Sequence, residues 1–288
     1  MAKSPTKNLS ALILTYNEEE NIEMVLNKLR WVDRVIVLDS GSTDSTLTRI
    51  NNYPNTEVFY RKFDTHAAQW NFGLTLVETE WVLTLDADYV LTPGFIEEVK
   101  EFVREEDLVA CFTRFRFVVF GQPLLRNNTT RRPVLFRKSN CTYFDDGHTQ
   151  RLKINGKAKA FKSYIFHNDR KPLSRWISNL DKYSVKECAK LLDERDPHYD
   201  SFVPRVRRTK ILAPFLVFFY CLLINGAILD GWRGWHYTIQ RTIVEFWFAL
   251  RLIEEEKLKN QPGQSEKFVR STAAFESDKR HHSTVLKN

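Results

Sequence analysis

Two carboxylates separated by one residue follow a short apolar run in the first third of the chain. Asp86 and Asp88 come directly after Val82–Leu85, so both side chains fall in a turn beyond a predicted strand. Oxygen ligands at this spacing can bind one divalent cation, and Mg²⁺ or Mn²⁺ held in this way commonly coordinates substrate phosphates as well. The cation would then neutralise a departing diphosphate. A solvated turn without chemistry is the alternative, but the position at a strand end favours a metal site.

Polar residues also follow the first two predicted strands. The first strand runs into Thr15–Glu19, and the second runs into Asp39–Asp44, which contains the turn residue Gly41. A carboxylate followed by a glycine turn and a helix start suits the binding of a ribose or base hydroxyl beside phosphates. Helix capping by Ser42 or Thr43 explains the same residues equally well.

Alternating strands and helices have to position these residues. Apolar, β-rich runs bounded by polar turns predict strands at Ala11–Thr15, Val35–Leu38, Val58–Tyr60 and Val82–Leu85. The intervening segments predict helices at Glu19–Leu29, Thr43–Ile50 and Ala67–Val77. Strands separated by single helices indicate an α/β fold, with a mostly parallel sheet covered by helices on both faces. Ligands of such sheets bind beyond the carboxyl ends of the strands, where the polar residues lie.

Three motifs together resemble the nucleotide-sugar motifs of glycosyltransferase family 2, whose members are inverting enzymes with the GT-A fold. In the family's order and spacing they are Leu12–Glu19 (LILTYNEE), Val37–Thr46 (VLDSGSTDST) and Trp81–Asp88 (WVLTLDAD). The resemblance implies a GT-A, Rossmann-like sheet and a metal-dependent transferase. A looser similarity to the lipopolysaccharide-core β-glucosyltransferase branch lies in Arg132–Arg137, Gly147–Thr149 and Ile228–Gly231. This second similarity leaves the sugar open.

The family resemblance implies roles for individual residues. The nucleotide-sugar pocket would be lined by Thr15, Tyr16, Asn17, Glu18, Asp39, Ser40, Gly41, Gln69, Asn71 and Asp86. Asp88 would bind the metal and the diphosphate, with Asp86 beside it. The family often has Lys or Arg immediately before the asparagine, where this chain has Trp70. That difference weakens the case for a phosphate contact from this position.

An inverting displacement needs a base that takes the proton of the acceptor hydroxyl, and the family supplies a carboxylate after the metal motif. In this chain we expect Asp146, with Asp145 second to it, because adjacent carboxylates near a pocket can raise one another's pKa. Related sequences often have Glu where this chain has Thr149, and an Asp-Asp-Gly turn without chemistry is the alternative. Candidate contacts for acceptor or donor phosphates, which a solvated basic face would explain equally well, are Arg132, Arg137 and His148.

Composition divides the chain into three predicted parts. Residues 1–170 form the catalytic domain, with a nucleotide-sugar half at about 8–105 and an acceptor half at 106–170; residues 171–260 form a helical, membrane-associated region, and 261–288 a polar flexible tail. Ile211–Leu229 carries no charge and is close to the length that crosses a hydrocarbon core, with Trp232, Trp235 and Tyr237 after it. We therefore predict peripheral or monotopic association with the cytoplasmic face of the inner membrane. A full crossing and a buried hairpin are the alternatives.

Composition also excludes several classes of protein. The 288 residues are 43% hydrophobic, which excludes a disordered regulator, and the four cysteines are too far apart to indicate a structural zinc site. The net charge of +7 favours an anionic partner.

Together the residues and the resemblance predict a metal-dependent inverting glycosyltransferase with Mg²⁺ or Mn²⁺ as cofactor. It would move a glucose-type hexose from a nucleotide-sugar, expected to be a UDP-sugar, to a lipid-linked saccharide in lipopolysaccharide or envelope polysaccharide biosynthesis. One alternative is a polyprenyl-phosphate glycosyltransferase. Another is a non-catalytic membrane or nucleic-acid binding module, although the sequence contains no recognisable nucleic-acid motif.

Overall fold

The amino-terminal half of the chain alternates strands with helices. The structure is a computed structural model and describes residues 8–126, 129–146, 149–196 and 198–259. The strands are β1 Leu9–Thr15, β2 Arg34–Asp39, β3 Thr56–Tyr60, β4 Trp81–Asp86, β5 Tyr89–Leu91, β6 Leu108–Val119, β7 Gln122–Pro123, β8 Arg132–Arg137, β9 Cys141–Asp146, β10 Thr149–Ile154 and β11 Lys157–His167. The α-helices are α1 Ile22–Asn27, α2 Thr46–Ile50, α3 His66–Leu76, α4 Pro93–Phe102, α5 Leu173–Leu191, α6 Phe202–Arg208, α7 Leu212–Phe219 and α8 Trp232–Lys259. Every strand and helix predicted for this half overlaps one of these elements.

Nine strands form one sheet in the order β3-β2-β1-β4-β8-β6-β11-β5, with β7 paired to the end of β6. The first four strands of this order are parallel, whereas β8 runs antiparallel to both β4 and β6, and β5 runs antiparallel to β11. The strands β6 and β11 are also parallel to each other. The sheet is therefore mixed, and the prediction of a mostly parallel sheet does not hold at β5, β7 and β8, which run antiparallel to their neighbours. The reason is that β6 reaches β8 through the β7 hairpin, without a helix in the described residues between them, and such a connection reverses the strand direction.

Helices cover both faces of the parallel part of the sheet. Ala11 and Ile13 of β1 belong to one cluster of buried side chains, which α1, α2 and α4 complete. Leu12 belongs to the cluster on the other face, which α3 completes. Burial on both faces explains why these strands are apolar at almost every position. Each fully buried large aliphatic side chain contributes about 1.5–3 kcal/mol, so this core fixes the strand ends where the polar residues lie.

The strands β9 and β10 form a separate hairpin that packs against α3. The side-chain amide of Asn71 donates to the Tyr143 carbonyl oxygen at 2.9 Å, and its oxygen accepts the Tyr143 N–H at 3.0 Å. Trp70, which is 2% exposed, stacks on the Tyr143 ring with 5.5 Å between the centroids. Trp70 is thus a core residue that attaches the hairpin to α3.

The described residues form two compact units. The first comprises residues 8–183 and 218–241 and contains the whole sheet. The second comprises residues 184–217 and 242–259 and contains α6 together with the ends of α5 and α8.

The uncharged stretch 211–229 does not form a single helix. It begins with α7, continues as a π-helical turn at Tyr220–Ile224, and enters a 3₁₀ turn at Ala227–Asp230. Gly226 precedes the last turn in a left-handed conformation, with φ of +70°. In the described part of the chain, no helix has both the length and the apolar composition needed to cross a bilayer. The predicted tail 261–288 lies outside the described residues.

Candidate active site

The carboxyl ends of three neighbouring strands meet at one edge of the sheet. Thr15 at the end of β1 pairs with Asp39 at the end of β2, and Leu14 pairs with Asp86 at the end of β4. The sheet therefore brings the three polar segments to the edge where ligands of parallel sheets bind.

Asp39 shapes the loop that follows β2. It is 2% exposed, and its Oδ2 accepts the N–H groups of Gly41 at 2.7 Å and Ser42 at 2.8 Å. Its Oδ1 accepts the hydroxyl groups of Ser42 at 2.5 Å and Thr15 at 3.1 Å. Four donors of the protein thus surround this carboxylate, which explains how the loop keeps its conformation.

Asn17 joins the loops after β1 and β2. It adopts a left-handed φ of +56°, which Asn tolerates better than most residues do. Its Oδ1 accepts the Thr43 N–H at 2.7 Å, and its own N–H donates to Ser42 Oγ at 2.8 Å. The Glu18 N–H donates to Thr46 Oγ1 at 2.7 Å. The first two motifs are therefore one hydrogen-bonded structure.

Gln69 supports this structure from α3. It is fully buried, and its Nε2 donates to Ser40 Oγ at 3.1 Å and to the Arg61 carbonyl oxygen at 3.0 Å. The Arg61 side chain in turn donates to Gln69 Oε1. Gln69 thus positions Ser40, whereas Tyr16 at the same edge is 53% exposed.

Asp86, Asp88 and His167 lie together at the centre of the edge. The end of β11 pairs with β5 so that His167 is opposite Tyr89, and His167 Nε2 is 3.1 Å from Asp88 Oδ2. The Tyr89 hydroxyl bonds to Asp86, and the Asn168 N–H donates to the Asp88 carbonyl oxygen at 3.0 Å. The long strand β11 thus covers the carboxylate pair that the turn after β4 presents.

The environment separates the pKa values of the two carboxyl groups. Burial, and next the charge of Asp88, raise the pKa of Asp86. Burial also acts to raise the pKa of Asp88, but the charge and hydrogen bond of His167 outweigh it and hold that pKa below its ordinary value. Burial acts to lower the pKa of His167, but the charge and hydrogen bond of Asp88 together with the charges of Asp86 and Asp169 leave that pKa raised. Asp88 is therefore the carboxylate that ionises more readily, as a cation ligand must.

The donor set fits a divalent cation. Asp88 Oδ1 is buried and has no hydrogen-bond partner among the described residues, and a buried carboxylate oxygen of this kind is costly unless a ligand satisfies it. Carboxylate oxygens suit Mg²⁺ and Mn²⁺, and imidazole nitrogen is a further ligand of transition metals. Asp86, Asp88 and His167 are the residues that would hold the cation.

A second group of carboxylates lies in the loops after β1 and β2. One oxygen from each of Glu19, Glu20 and Asp44 lies within 4.8 Å of the others. Asp44 accepts the Thr46 N–H at 2.9 Å and the Glu19 N–H at 3.2 Å, and Glu19 accepts the Ser45 N–H at 3.1 Å. These bonds to the backbone tie Glu19 and Asp44 into the loop structure and the start of α2, whereas Glu20 Oε2 is buried without a hydrogen-bond partner among the described residues.

The segment after His167 holds the first loop in place. Lys171 Nζ is 2.7 Å from Glu18 Oε1, and the two side chains are 12% and 14% exposed. Asn21 donates to Glu18 Oε2 and to Asp169 Oδ1, each at 3.0 Å. The loop after β1 and the segment after β11 are thus joined beside the carboxylates.

The two candidate bases have different partners. Asp145 Oδ1 accepts the Ala67 N–H at 3.0 Å, at the start of α3. Asp146 Oδ2 is 2.5 Å from Arg151 Nε across the hairpin, and the Asp146 side chain is 17% exposed. Gly147 and His148, which follow in the sequence, lie outside the described residues.

The two predicted phosphate-binding arginines lie far apart on the sheet. Arg132 is exposed at the start of β8. Its positive charge acts to lower the pKa of Asp86, which burial raises. Arg137 pairs with Trp81 at the amino end of β4, where it lies 4.6 Å from the indole ring and donates to the Leu108 carbonyl oxygen at 3.0 Å. The structure does not bring Arg137 to the candidate site, because Asp86 is at the opposite end of β4.

A family model described as "Glycosyl transferase family 2" matches residues 10–171, more than half of the chain. The chain belongs to glycosyltransferase family 2. The matched segment extends from β1 to Lys171, so it includes the three strand ends, His167 and both candidate bases. The mixed sheet with helices on both faces is the GT-A fold of this family.

Several known proteins are similar to this chain. An uncharacterized glycosyltransferase of Rickettsia bellii (strain RML369-C) is 33% identical over 147 residues, which are 49% of this chain and 47% of that protein. The chain spans about half the length of the Rickettsia relatives that it matches. LpsC of Rhizobium meliloti (strain 1021), a lipopolysaccharide core biosynthesis glycosyltransferase, is 28% identical over 267 residues, or 90% of this chain and 96% of LpsC. Among solved structures, S. aureus TarS 1–349 in complex with UDP-GlcNAc covers 86% of this chain and 92% of that chain, with 15% identity and a TM-score of 0.45.

The sequence alone does not assign His167, Lys171 or Asn21 to the candidate site. The available signal is the polar segment His167–Lys171 between an apolar strand and an amphipathic helix. A lone histidine in such a segment is as well explained by a structural loop. Its partner Asp88 is 79 residues away in the sequence, so only the pairing of β11 with β5 reveals the contact.

Proposed function

We propose that this family 2 protein transfers a hexose, with inversion, from a UDP-sugar to a lipid-linked saccharide in lipopolysaccharide-core biosynthesis. The alignment with Rhizobium meliloti LpsC, which extends over 90% of this chain, supports the pathway. Family membership supports the reaction class.

One observation carries the proposal. Asp88 presents a buried oxygen without a partner among the described residues, beside His167 and at the same sheet edge as the loops after β1 and β2. A divalent cation held by Asp86, Asp88 and His167 would neutralise the charge of the nucleoside diphosphate as it leaves.

The protein's own residues have separate tasks in this proposal. The loop structure built by Asn17 and Asp39 receives the nucleotide, and Gln69 keeps Ser40 in place within it. Asp146, which is paired with Arg151, takes the proton of the acceptor hydroxyl, and Asp145, which accepts the Ala67 N–H at the start of α3, is the second candidate. Arg132 is the candidate contact for phosphate groups near Asp86.

The donor site is tested by calorimetric titration of UDP with and without Mn²⁺. We expect metal-dependent binding, which Asp88→Asn abolishes, and a fall in sugar transfer of about 100-fold or more in that variant. Asp107→Asn, which changes an exposed carboxylate at the start of the β6 region, is the matched control and should bind UDP normally. Unchanged transfer by Asp88→Asn would refute the proposed donor site.

The base is tested by comparing two neighbouring substitutions. Asp146→Asn should lower the rate of transfer by about 100-fold or more while UDP binding persists, because general base catalysis contributes about 10²–10⁴-fold. Asp145→Asn should have a much smaller effect on the rate. The reverse order of effects would assign the base to Asp145.

The acceptor is tested by identifying the product. Sugar attached to a lipid-linked oligosaccharide would support the proposal, whereas sugar on a polyprenyl phosphate would favour the alternative acceptor. Either acceptor is a lipid, so we place the reaction at the cytoplasmic face of the inner membrane.

A further inference from the structure

Two segments of the first unit expose large apolar side chains to solvent. We call them together the apolar surface and define it by two side chains around the β7 hairpin and the exposed side chains of 219–235. These are Phe120, Leu125, Phe219, Tyr220, Leu223, Ile224, Ile228, Leu229, Trp232 and Trp235, each at least 42% exposed. Exposed apolar groups on this scale usually mark a binding surface.

Phe120 is the most unusual residue of the apolar surface. It lies in the two-residue turn between β6 and β7, where Val119 pairs with Gln122. Its φ is +48°, followed by +77° at Gly121, so both turn residues are left-handed. Such turns normally use Asn, Asp or Gly, and a bulky residue with positive φ is strained. Phe120 is also 74% exposed, so it has no conformational advantage in water and most of its side chain is not buried.

The two segments of the apolar surface are fixed to each other. The Phe120 ring is 5.5 Å from the Trp232 ring and 5.3 Å from the His236 ring, measured between centroids. Asp230 Oδ1 accepts the Leu125 N–H at 2.6 Å. The hairpin and the start of α8 therefore present their apolar side chains as one surface.

The charges around the apolar surface are suited to an anionic bilayer. Between Phe218 and His236 the only acidic residue is Asp230, which is 5% exposed and bonded to the hairpin. Arg233 lies within this segment and the exposed Arg126 lies beside it. Tryptophan and tyrosine side chains with neighbouring arginines are typical of the membrane–water interface.

We propose that the apolar surface inserts into the headgroup region of an anionic lipid bilayer, with Phe120 and Trp232 as its principal anchors. This inference rests on the proposed transfer to a lipid-linked acceptor. The strand β6 connects the apolar surface to the proposed donor site. Phe117 lies three residues before Phe120, and its ring is 4.7 Å from that of His167. A bilayer at the end of β6 would therefore bring the head of a lipid-linked saccharide to the donor site.

Phe120→Gly provides the sharpest test. Glycine accepts the left-handed φ without strain, so the thermal midpoint should rise or stay unchanged. Removal of one inserted aromatic side chain should weaken binding to vesicles about tenfold. The probe is co-sedimentation with phosphatidylcholine vesicles that contain phosphatidylglycerol as a minor component. Val58→Gly, which removes an exposed apolar side chain from the edge strand β3, is the control and should bind vesicles like the wild type.

The outcomes separate this inference from the proposed function. Vesicle binding that Phe120→Gly and Trp232→Ser each weaken, while UDP titration is unchanged, supports the inference. Unaltered vesicle binding in both variants, or wild-type protein that does not sediment with the anionic vesicles, overturns it. Formation of a concentration-dependent dimer that Phe120→Gly abolishes would also overturn it, by showing that a second copy covers the surface. The UDP titration of the wild type decides the donor site independently, because no residue of the apolar surface belongs to that site.

Discussion

At the scale of single residues, the ion pair between Glu18 and Lys171 shows how burial controls charge next to the proposed donor site. Burial raises the pKa of Glu18 to about 7, although Lys171 and Asn21 act in the opposite direction. Burial acts to lower the pKa of Lys171, but the charges of Glu18 and Asp169 outweigh it and leave that pKa raised. The folded protein therefore retains a proton on Glu18 at pH values where the unfolded chain has released it.

Glu18→Gln should change the pH dependence of stability. The folded-state pKa of about 7 lies above the ordinary 4.5, so the contribution of Glu18 is fully present below pH 4.5 and is lost as the pH rises through about 7. The stability of Glu18→Gln relative to the wild type should therefore increase with pH across this range, by up to about 3 kcal/mol. Urea unfolding at several pH values measures this difference. A difference between Glu18→Gln and the wild type that stays constant over this pH range would contradict the raised pKa.

At the scale of secondary-structure elements, close backbone approach fixes the start of α8. A Cβ atom on Gly234 would lie 1.7 Å from the Ala227 carbonyl oxygen and 3.1 Å from the Asp230 Cβ. Only glycine lets α8 pack so closely against the preceding 3₁₀ turn. This contact also sets the position of Trp232 and the hairpin that Asp230 holds.

Gly234→Ala should therefore destabilise the protein, although replacing glycine by alanine in a helix usually stabilises by about 1 kcal/mol. We expect a loss of about 1–3 kcal/mol or more, because the backbone at Ala227 has to move. Urea unfolding followed by tryptophan fluorescence provides the measurement. Gly94→Ala in α4, where a Cβ would lie 3.3 Å from the Ser163 hydroxyl and 3.9 Å from the Ser163 Cβ, should change stability less. Equal or higher stability of Gly234→Ala would contradict the structure.

Elements with local signals were predictable, whereas pairings between distant segments were not. The strands β1, β2 and β4 were predictable from their apolar runs, because strands that are buried on both faces of a sheet are apolar at almost every position. The start of α1 was placed too early at Glu19, because the Glu18 and Glu19 N–H groups bond to Thr46 and Asp44 instead of continuing a helix. The antiparallel position of β8 depends on long-range pairing that no local pattern encodes.

The residues of the candidate site also differ in how far the sequence predicted their contacts. Asp86 and Asp88 were identified from spacing and position after a strand. Asp39 and Gln69 were placed near the nucleotide, but most of their observed contacts hold the loops together. These contacts could not be predicted, because their partner residues become neighbours of Asp39 and Gln69 only in the folded chain.

At the scale of the whole molecule, Arg207, Arg208 and Lys210, which precede the uncharged stretch 211–229, make their contacts within the second unit. Arg207 donates to both oxygens of Glu245, at 3.0 and 2.9 Å, and to Glu187 at 2.8 Å. Lys210 pairs with Glu256, and the Arg208 guanidinium lies 3.6 Å from the centroid of the Tyr199 ring. The sequence pattern of basic residues before an apolar stretch therefore reflects internal ion pairs as well as surface charge.

Arg207→Met should destabilise the protein strongly, because it leaves Glu245, whose side chain is 3% exposed, without its partner. Breaking a buried pair in this way costs about 3–5 kcal/mol. Arg205→Met, at a side chain that is 64% exposed, should cost less than about 1 kcal/mol. Thermal unfolding of both variants tests the contrast. Since the residues of the proposed donor site belong to the first unit, UDP affinity measured below the unfolding transition should be equal in the two variants. Similar stabilities of the two variants would contradict the buried pair.

The most direct test of the account is the position of Mn²⁺ in crystals grown with UDP, measured by anomalous X-ray scattering. We predict one strong peak in contact with Asp88 Oδ1 and His167, with the diphosphate of UDP bound to the same ion and its nucleoside at the carboxyl ends of β1 and β2. A peak at Glu19, Glu20 and Asp44 instead, or UDP bound away from this sheet edge, would contradict the assignment of Asp86, Asp88 and His167 as the centre of the donor site.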